Sequence, residues 1–447
     1  MSAITVSDES VATNLQRIDE ALAWDADGGA EQAEVVASDS VGLTISARMR
    51  DIETIESQHD RGFAITVYRN HCKGSASTSD LSADAVRRAV DKALYIASQT
   101  NADECAGLAD AERMASEFPD LSLEHPWSLS LERAKQLAIE IEAAALGYDA
   151  QISNSEGASV ASANSASVYG NSHGFRGAQR RTSHSLSCSV IAGEGSAMQR
   201  DYYYSSARNP QRLLDATRVG ECAAQRTLER LSPRKLDTGE VAVVFRHDVA
   251  RGLVGHLLSA ISGSAQYRKS SFLLDAVGSA VLPQRLSLYE QPFLPEGPAS
   301  TSFDNEGVAT CERAIVADGV LQGLVLSSYS ARRLGQQTTG NAGGVHNAVL
   351  THDDRPLADL LAGMGEGLLV TEMMGQGVNL VTGDYSRGAS GFWVSGGQIA
   401  YPVSEITVAG NVRDMLMNID GVASDVDTRG AIQTGSILVG RMTVAGN

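Results

Sequence analysis

The stretch Val241-Ala-Val-Val-Phe-Arg-His-Asp-Val-Ala-Arg-Gly-Leu-Val-Gly-His-Leu-Leu-Ser-Ala-Ile-Ser-Gly263 decides how the rest of the chain is read. Five apolar residues, Val241 to Phe245, predict a buried strand. Val249, Leu253, Leu257 and Ile261 then recur every fourth position, the period of an amphipathic helix. A strand therefore feeds a helix, and Arg246, His247, Asp248, Arg251 and His256 crowd the junction. A hydrolytic zinc helix needs two imidazoles on one face with a carboxylate beside them. The spacing refuses that: at about 100° per residue, His247 and His256 point to opposite faces. No HExxH occurs in the sequence. The junction is predicted to be a polar corner facing a groove or a partner.

Outward from this corner, the bulk properties bound the answer. The chain has 447 residues, 43% hydrophobic and 20% charged, with 10 prolines, which predicts a globular protein of two domains. No window reaches the roughly 18 apolar residues of a membrane span, so no membrane is expected as a partner. The start, Met1 to Leu15, carries acids and no basic segment, so no secretory signal is expected and a cytoplasmic location follows. Five dispersed cysteines without a CxxC pair predict reduced thiols, with neither a disulfide framework nor a zinc ribbon. A formal charge of −18 repels a polyphosphate backbone, so nucleic acid is not expected either. Arg176, Arg180 and Arg181 cluster, and read as a solvated loop.

Upstream, Val11, Leu15, Ile18 and Leu22 mark a first helix that ends at Asp25-Ala-Asp-Gly-Gly29. Residues 34–38, 42–50, 51–58 and 62–70 read as four short strands of a meander. A second helix starts after Ser82 as N-cap, and a third spans about Leu131 to Leu146. The Ser/Ala/Asn/Gly-rich residues 151–205 alternate (Val160, Ser162, Asn164, Ala166, Val168), which predicts strands rather than a linker. Pro210 to Leu231 reads as a long helix closed by Ser232-Pro-Arg-Lys235. The reading is α+β throughout. An N-terminal α/β-type domain, 1–235, packs helices on a sheet; a C-terminal domain, 236–447, is mostly antiparallel β with a few helices, among them one near Leu357 to Met364. Hairpin turns are expected at Val316-Ala-Asp-Gly-Val320 and Val394-Ser-Gly-Gly-Gln398.

Two polar runs stand out in the second half. Gly383-Asp-Tyr-Ser-Arg-Gly388 reads as an exposed turn in which Tyr385, Ser386 and Arg387 are candidates to hold a peptide backbone or carboxylate, against an internally bonded hairpin turn. Ser386 lacks the GxSxG setting of a nucleophile. Gly340-Asn-Ala-Gly-Gly-Val-His-Asn347 has neither the Lys-Ser/Thr of a phosphate loop nor a dinucleotide fingerprint, so His346 and Asn347 are read as contacts to a closely approaching peptide strand.

Longer blocks are more specific. Gly343-Gly-Val-His-Asn347, Val370-Thr-Glu-Met-Met-Gly-Gln-Gly377, Thr382-Gly-Asp-Tyr-Ser-Arg-Gly-Ala-Ser-Gly-Phe-Trp393, Tyr401-Pro-Val-Ser-Glu-Ile-Thr-Val-Ala-Gly-Asn411, Tyr267-Arg-Lys-Ser-Ser-Phe-Leu-Leu-Asp275 and Thr301-Ser-Phe-Asp-Asn-Glu-Gly307 resemble the TldD/PmbA metalloprotease family, on its PmbA/TldE side. The resemblance implies a cytoplasmic heterodimer with a TldD-like subunit that trims or degrades unfolded peptides, including a peptide-antibiotic leader. In the TldD type the helix carries HExxxH, and a cysteine near the C-terminus completes the zinc site. An ungapped comparison places Arg246 and Arg251 at the two histidines, His247 at the glutamate and Thr434 at the cysteine. Guanidiniums stay protonated and repel a cation. The resemblance thus implies a chain with no catalytic residues and no metal of its own, zinc being held by the TldD-like partner. The isolated chain has a homodimer as its alternative assembly. Two other functions stand beside this one: a peptide-binding regulator of the gyrase-modulator type, and a metal-free hydrolase built on His247, Asp248 and Ser386. Arg246, His247, Arg251 and Thr434 are expected to converge on one wall of a cleft.

Overall fold

The computed structural model describes residues 5–446, so Met1 to Ile4 of the acidic start lie outside the described residues. The chain is α+β. In the first half, α1 (Asp8–Asp27), β1 (Gln32–Arg48), β2 (Asp51–Arg69), β3 (Cys72–Thr78), α2 (Ala83–Gln99), α3 (Leu131–Leu146), β4 (Ile152–Asn171), β5 (Arg176–Ala192), β6 (Gln199–Ala207) and α4 (Ala216–Glu229) follow in order. The six strands form one antiparallel sheet, β3-β2-β1-β4-β5-β6.

The alternation of β1 shows how the sheet is covered. Ala33, Val35 and Ala37 bury under α1 and α2, whereas Leu43, Ile45 and Ala47, on the same face, bury under α3 and α4. One long sheet face thus carries two helix pairs side by side. Small residues let them approach: a Cβ on Gly220 of α4 would lie 2.1 Å from the Ile141 carbonyl of α3. The opposite face, with Ala163, Ser165 and Ser167, borders the cavities described below.

Three expectations change here. The four short strands are the two long ones, β1 and β2, paired from Gln32↔Tyr68 to Arg48↔Asp51. Asp39-Ser-Val41 and His59-Asp-Arg61, which the sequence reading leaves between strands, pair with each other and stay in the ladder. The long helix from Pro210 is a short 3₁₀ turn, Pro210–Arg212, followed by α4. The arginine cluster also lies on β5 and not in a loop; Arg176 pairs with Asp19 at 2.7 Å and Arg180 with Glu124 at 2.8 Å.

The second half contains β7 (Gly239–Phe245), α5 (His247–Ala260), α6 (Gly263–Tyr267), β8 (Leu288–Glu290), β9 (Arg313–Ala317), β10 (Val320–Leu321), α7 (Ser328–Arg333), β11 (Ala348–Leu350), α8 (Leu357–Met364), β12 (Gly367–Met374), β13 (Asp384–Ser395), β14 (Gln398–Asn411), α9 (Val412–Met417), β15 (Ile419–Val422), β16 (Ile432–Gln433) and β17 (Ile437–Gly446). The strands build two sheets, β14-β13-β12-β7-β17-β15 and β10-β9-β8-β11-β16, each with one parallel pair. A β14–β17 ladder closes the first sheet on itself. Both hairpin turns form where expected, with φ of 48° and 79° at Asp318 and Gly319 and 59° and 77° at Gly396 and Gly397. Val243 and Phe245 of β7 and Leu253 and Leu257 of α5 lie in the largest apolar core. All five cysteines are free thiols. Among the described residues no helix is long and apolar enough to cross a membrane.

Candidate functional site

The Arg246 corner is held from three sides. The helical period buries Ala250, Leu253, Val254, Leu257 and Leu258 of α5, so Arg246, Asp248, Arg251 and Gly252 turn away from the core. Arg246 takes the N-cap position in extended geometry, and its N–H donates to the Val370 carbonyl of β12. Its guanidinium grips Asp248 through two hydrogen bonds of 2.8 and 2.6 Å. From the first half, Arg226 of α4 adds a second cation to Asp248 at 3.5 Å and lies over the Tyr203 ring. Burial pushes the Asp248 carboxyl up, but these guanidiniums outweigh it and hold it below the usual carboxylate range.

These side chains line a cavity of about 350 Å³ between the two halves of the chain. Arg200 and Asp201 of β6, Arg226 and Arg230 of α4, Thr371 and Glu372 of β12 and Arg387 of β13 complete its polar wall. Arg230 bridges Asp201 and Glu372. Spacing could have flagged two of them, since Arg226 and Arg230 stand four apart on one helix face. Nothing in the sequence flagged Glu372 or Asp201, which arrive from distant strands.

Of the four aligned positions, Arg246 and Arg251 share this cavity, whereas His247 and Thr434 do not. The His247 ring bonds Asp425 through Nδ1 at 3.1 Å, and the backbone N–H of His247 donates to Ser436 Oγ. Ser436 Oγ in turn donates to Asp425 at 2.7 Å. Burial raises the Asp425 carboxyl, but the bonds from His247 and Ser436 prevail and bring it below its ordinary value. Thr434 is buried, with its hydroxyl donating to the Gly435 carbonyl. The expected convergence of four side chains on one wall is therefore a convergence of two: at the first position of α5, His247 turns toward the loop that carries Asp425. Two guanidiniums, a carboxylate-bound imidazole and a buried hydroxyl do not suit a divalent cation. Among the described residues no cluster of three or more His, Cys, Asp or Glu side chains could hold one. The His247–Asp425–Ser436 group does not make an activated serine, because the hydroxyl donates to the carboxylate and not to the ring.

The remaining candidates separate. Tyr385, Ser386 and Arg387 lie in β13 rather than in an exposed turn, because Asp384 to Ala389 pair with Asn411 to Ile406 of β14. Tyr385 is buried against the His256 ring, Ser386 is exposed and Arg387 faces the cavity. Asn347 is fully buried; its side chain accepts from Ala299 N–H and donates to the Gln291 carbonyl and Ser300 Oγ. It braces the loop at a φ of 49° and cannot reach a peptide. His346 lines a second cavity of about 580 Å³ with Gly343, Val345 and Asp304, and burial holds its imidazole below the ordinary value. A third cavity of about 760 Å³, lined by Tyr203, Tyr204, Arg208 and Arg429, shares Ser165, Arg181 and Pro298 with the second. The two make one trough along the uncovered face of the first sheet.

The PmbA/TldA metallopeptidase models match in three pieces: domain 1 at residues 33–97, the central domain at 124–231 and the C-terminal domain at 238–446. The metalloprotease PmbA homolog of Haemophilus influenzae is 50% identical over 416 residues, covering 93% of this chain and 92% of that protein. Metalloprotease PmbA of Escherichia coli O157:H7 is 48% identical over 441 residues, covering 99% and 96%. A crystal structure from Bacteroides thetaiotaomicron, described as a modulator of DNA gyrase, superimposes with a TM-score of 0.93 at 28% identity, covering 99% of this chain and all of that one. TldE of Thermococcus kodakarensis shares the fold, with a TM-score of 0.84 at 20% identity over 96% of this chain and all of that one.

Proposed function

Because the chain belongs to the PmbA/TldA metallopeptidase family, we propose that it is the zinc-less, PmbA/TldE-type subunit of a peptidase whose metal is held by a TldD-like partner. One observation carries the reading: α5 presents Arg246 and Arg251 to its cavity where the zinc-holding type would present imidazoles, and Arg246 is locked by Asp248. A fixed guanidinium beside a second one makes the local field repulsive to a divalent ion. The chain contributes shape instead. The trough along β4, β5 and the His346 loop would receive an extended, unfolded segment, held mainly through its backbone, while the partner's metal cleaves it.

The test is metal analysis and peptidase assay of this chain alone, then mixed with a TldD-like subunit. The expected result is no tightly held zinc and no cleavage alone, and zinc-dependent cleavage from a mixed complex. Tightly bound zinc or cleavage in the isolated chain would overturn it. A regulator that only binds peptides is the second reading, favoured by the gyrase-modulator description of the Bacteroides thetaiotaomicron relative. It requires binding without cleavage even in the mixture.

A further inference from the structure

The 350 Å³ cavity beside α5 holds more positive charge than its own acids neutralise. Six guanidiniums line it, from Arg200, Arg226, Arg230, Arg246, Arg251 and Arg387, against the three carboxylates of Asp201, Asp248 and Glu372. Each acid is taken: Asp248 by Arg246 and Arg226, Asp201 and Glu372 by Arg230. Arg200 has its own partner outside the cavity, Glu156 at 3.1 Å. Arg251 and Arg387 have no ion pair among the described residues. This excess stands in a chain whose formal charge is −18.

A second observation points the same way. Arg387 Nε is closed off from solvent and has no hydrogen-bond partner, although the guanidinium is part of the cavity wall. Leaving a buried charged donor unbonded is unfavourable, and a built site normally resolves it with a bound acceptor. No neighbouring group brings it a negative charge. His256 lies close by, but burial and then the charge of Arg387 lower its affinity for protons, so it offers no negative group. Tyr385, pushed up to about 12 by burial, bonds the Arg387 guanidinium as a neutral phenol and leaves its charge uncompensated.

We infer that this cavity is a carboxylate-binding site in which Arg251 and Arg387 take the carboxylate of a peptide, either its C-terminus or an Asp or Glu side chain. Planar guanidiniums match a carboxylate in two-pronged fashion. Four of the six guanidiniums are already paired, which leaves two to meet a single carboxylate. The volume suits a group of amino-acid size. That the carboxylate belongs to a peptide rests on the function proposed above; the site itself does not.

The experiment uses the full chain alone and three pentapeptides carrying an uncharged N-terminal fluorophore: a free acid, its C-terminal amide, and the amide with one internal Asp. Fluorescence anisotropy is expected to show the free acid, the Asp peptide or both binding about tenfold or more tightly than the plain amide. Whichever carboxylate peptide gains affinity identifies the source. R251A/R387A is expected to abolish the difference and R251K/R387K to keep part of it. The acid-to-amide comparison needs only the parent protein, so a variant that fails to fold does not blunt the test. Equal affinity for all three peptides overturns the inference, as does a preference that survives in folded R251A/R387A, or tighter binding of inorganic phosphate than of either carboxylate peptide. Failure here leaves the mixed-subunit peptidase assay untouched. Conversely, cleavage by the isolated chain would overturn the subunit reading while the carboxylate preference stood.

Discussion

At the scale of single residues, the half-buried Asp248 and the buried Asp25 respond to pH in opposite senses. The Asp248 carboxyl is held below its ordinary value by Arg246 and Arg226. Its contribution is therefore present above an unfolded-state pKa of about 4 and is lost as pH falls through the lower folded value. Asp248→Ala leaves two guanidiniums facing each other, and is expected to lower unfolding free energy by about 2–3 kcal/mol at pH 7. Urea melts at pH 7 and pH 3 check this; a penalty that does not shrink in acid contradicts the assignment. Asp25 is the reverse case. Burial pushes its carboxyl up to about 7, and its Oδ1 has no hydrogen-bond partner. A raised folded pKa means that stability is full below about pH 4 and declines as pH rises toward the folded value. Asp25→Asn, neutral at every pH, is expected to match the parent near pH 4 and exceed it by about 2–4 kcal/mol at pH 8. Thermal melts across that range that run parallel for the two proteins would sink the prediction.

At the scale of elements, what the sequence discloses is what short-range physics controls. Helix α3 spans Leu131–Leu146 as the sequence reading has it, with Ser130 as its N-cap, and α8 and the two glycine hairpins also fall where the pattern puts them. The β1–β2 connection falls where the sequence reading ends one strand at Arg50 and begins the next at Asp51, but what holds it is illegible for a physical reason. Met49 and Arg50 turn the chain with φ of 52° and 68°, a conformation usually left to glycine or asparagine. What holds it is remote: Glu142 of α3, fully buried, accepts the N–H groups of both residues at 2.9 and 2.6 Å. A turn stabilised by a carboxylate more than ninety positions away leaves no local signature. Glu142→Ala is expected to destabilise the protein by about 2–4 kcal/mol by orphaning both donors. Hydrogen exchange should localise the loss to the Met49–Arg50 end of the hairpin. Protection lost evenly over the sheet would argue that Glu142 supports α3 packing instead.

Across the whole molecule, the candidate site was readable only in part because it is assembled from both halves. The sequence pointed to Arg246 and Arg251 through the α5 pattern and the family resemblance. Arg226, Arg230 and Glu372 join them through tertiary packing alone, and His247 is drawn off by Asp425. The same packing depends on a few cross-ties that also frame the trough. Arg429 holds Asp427 at 2.8 and 3.0 Å, donates to the Tyr204 carbonyl of β6 and stacks 4.3 Å from the Tyr204 ring. Arg208 reaches the Gly297 and Pro298 carbonyls from the other side. Asp427 is almost wholly buried, with a side chain 4% exposed, so losing its guanidinium strands a charge at the seam between the halves. Arg429→Ala is therefore expected to weaken that seam by about 3–5 kcal/mol while leaving each half's own core intact. In scanning calorimetry the parent's unfolding should divide into two transitions. One transition, displaced downward without broadening, would mean that the halves are coupled chiefly through the Arg230 and Arg208 contacts, and that the trough survives without its Arg429 wall.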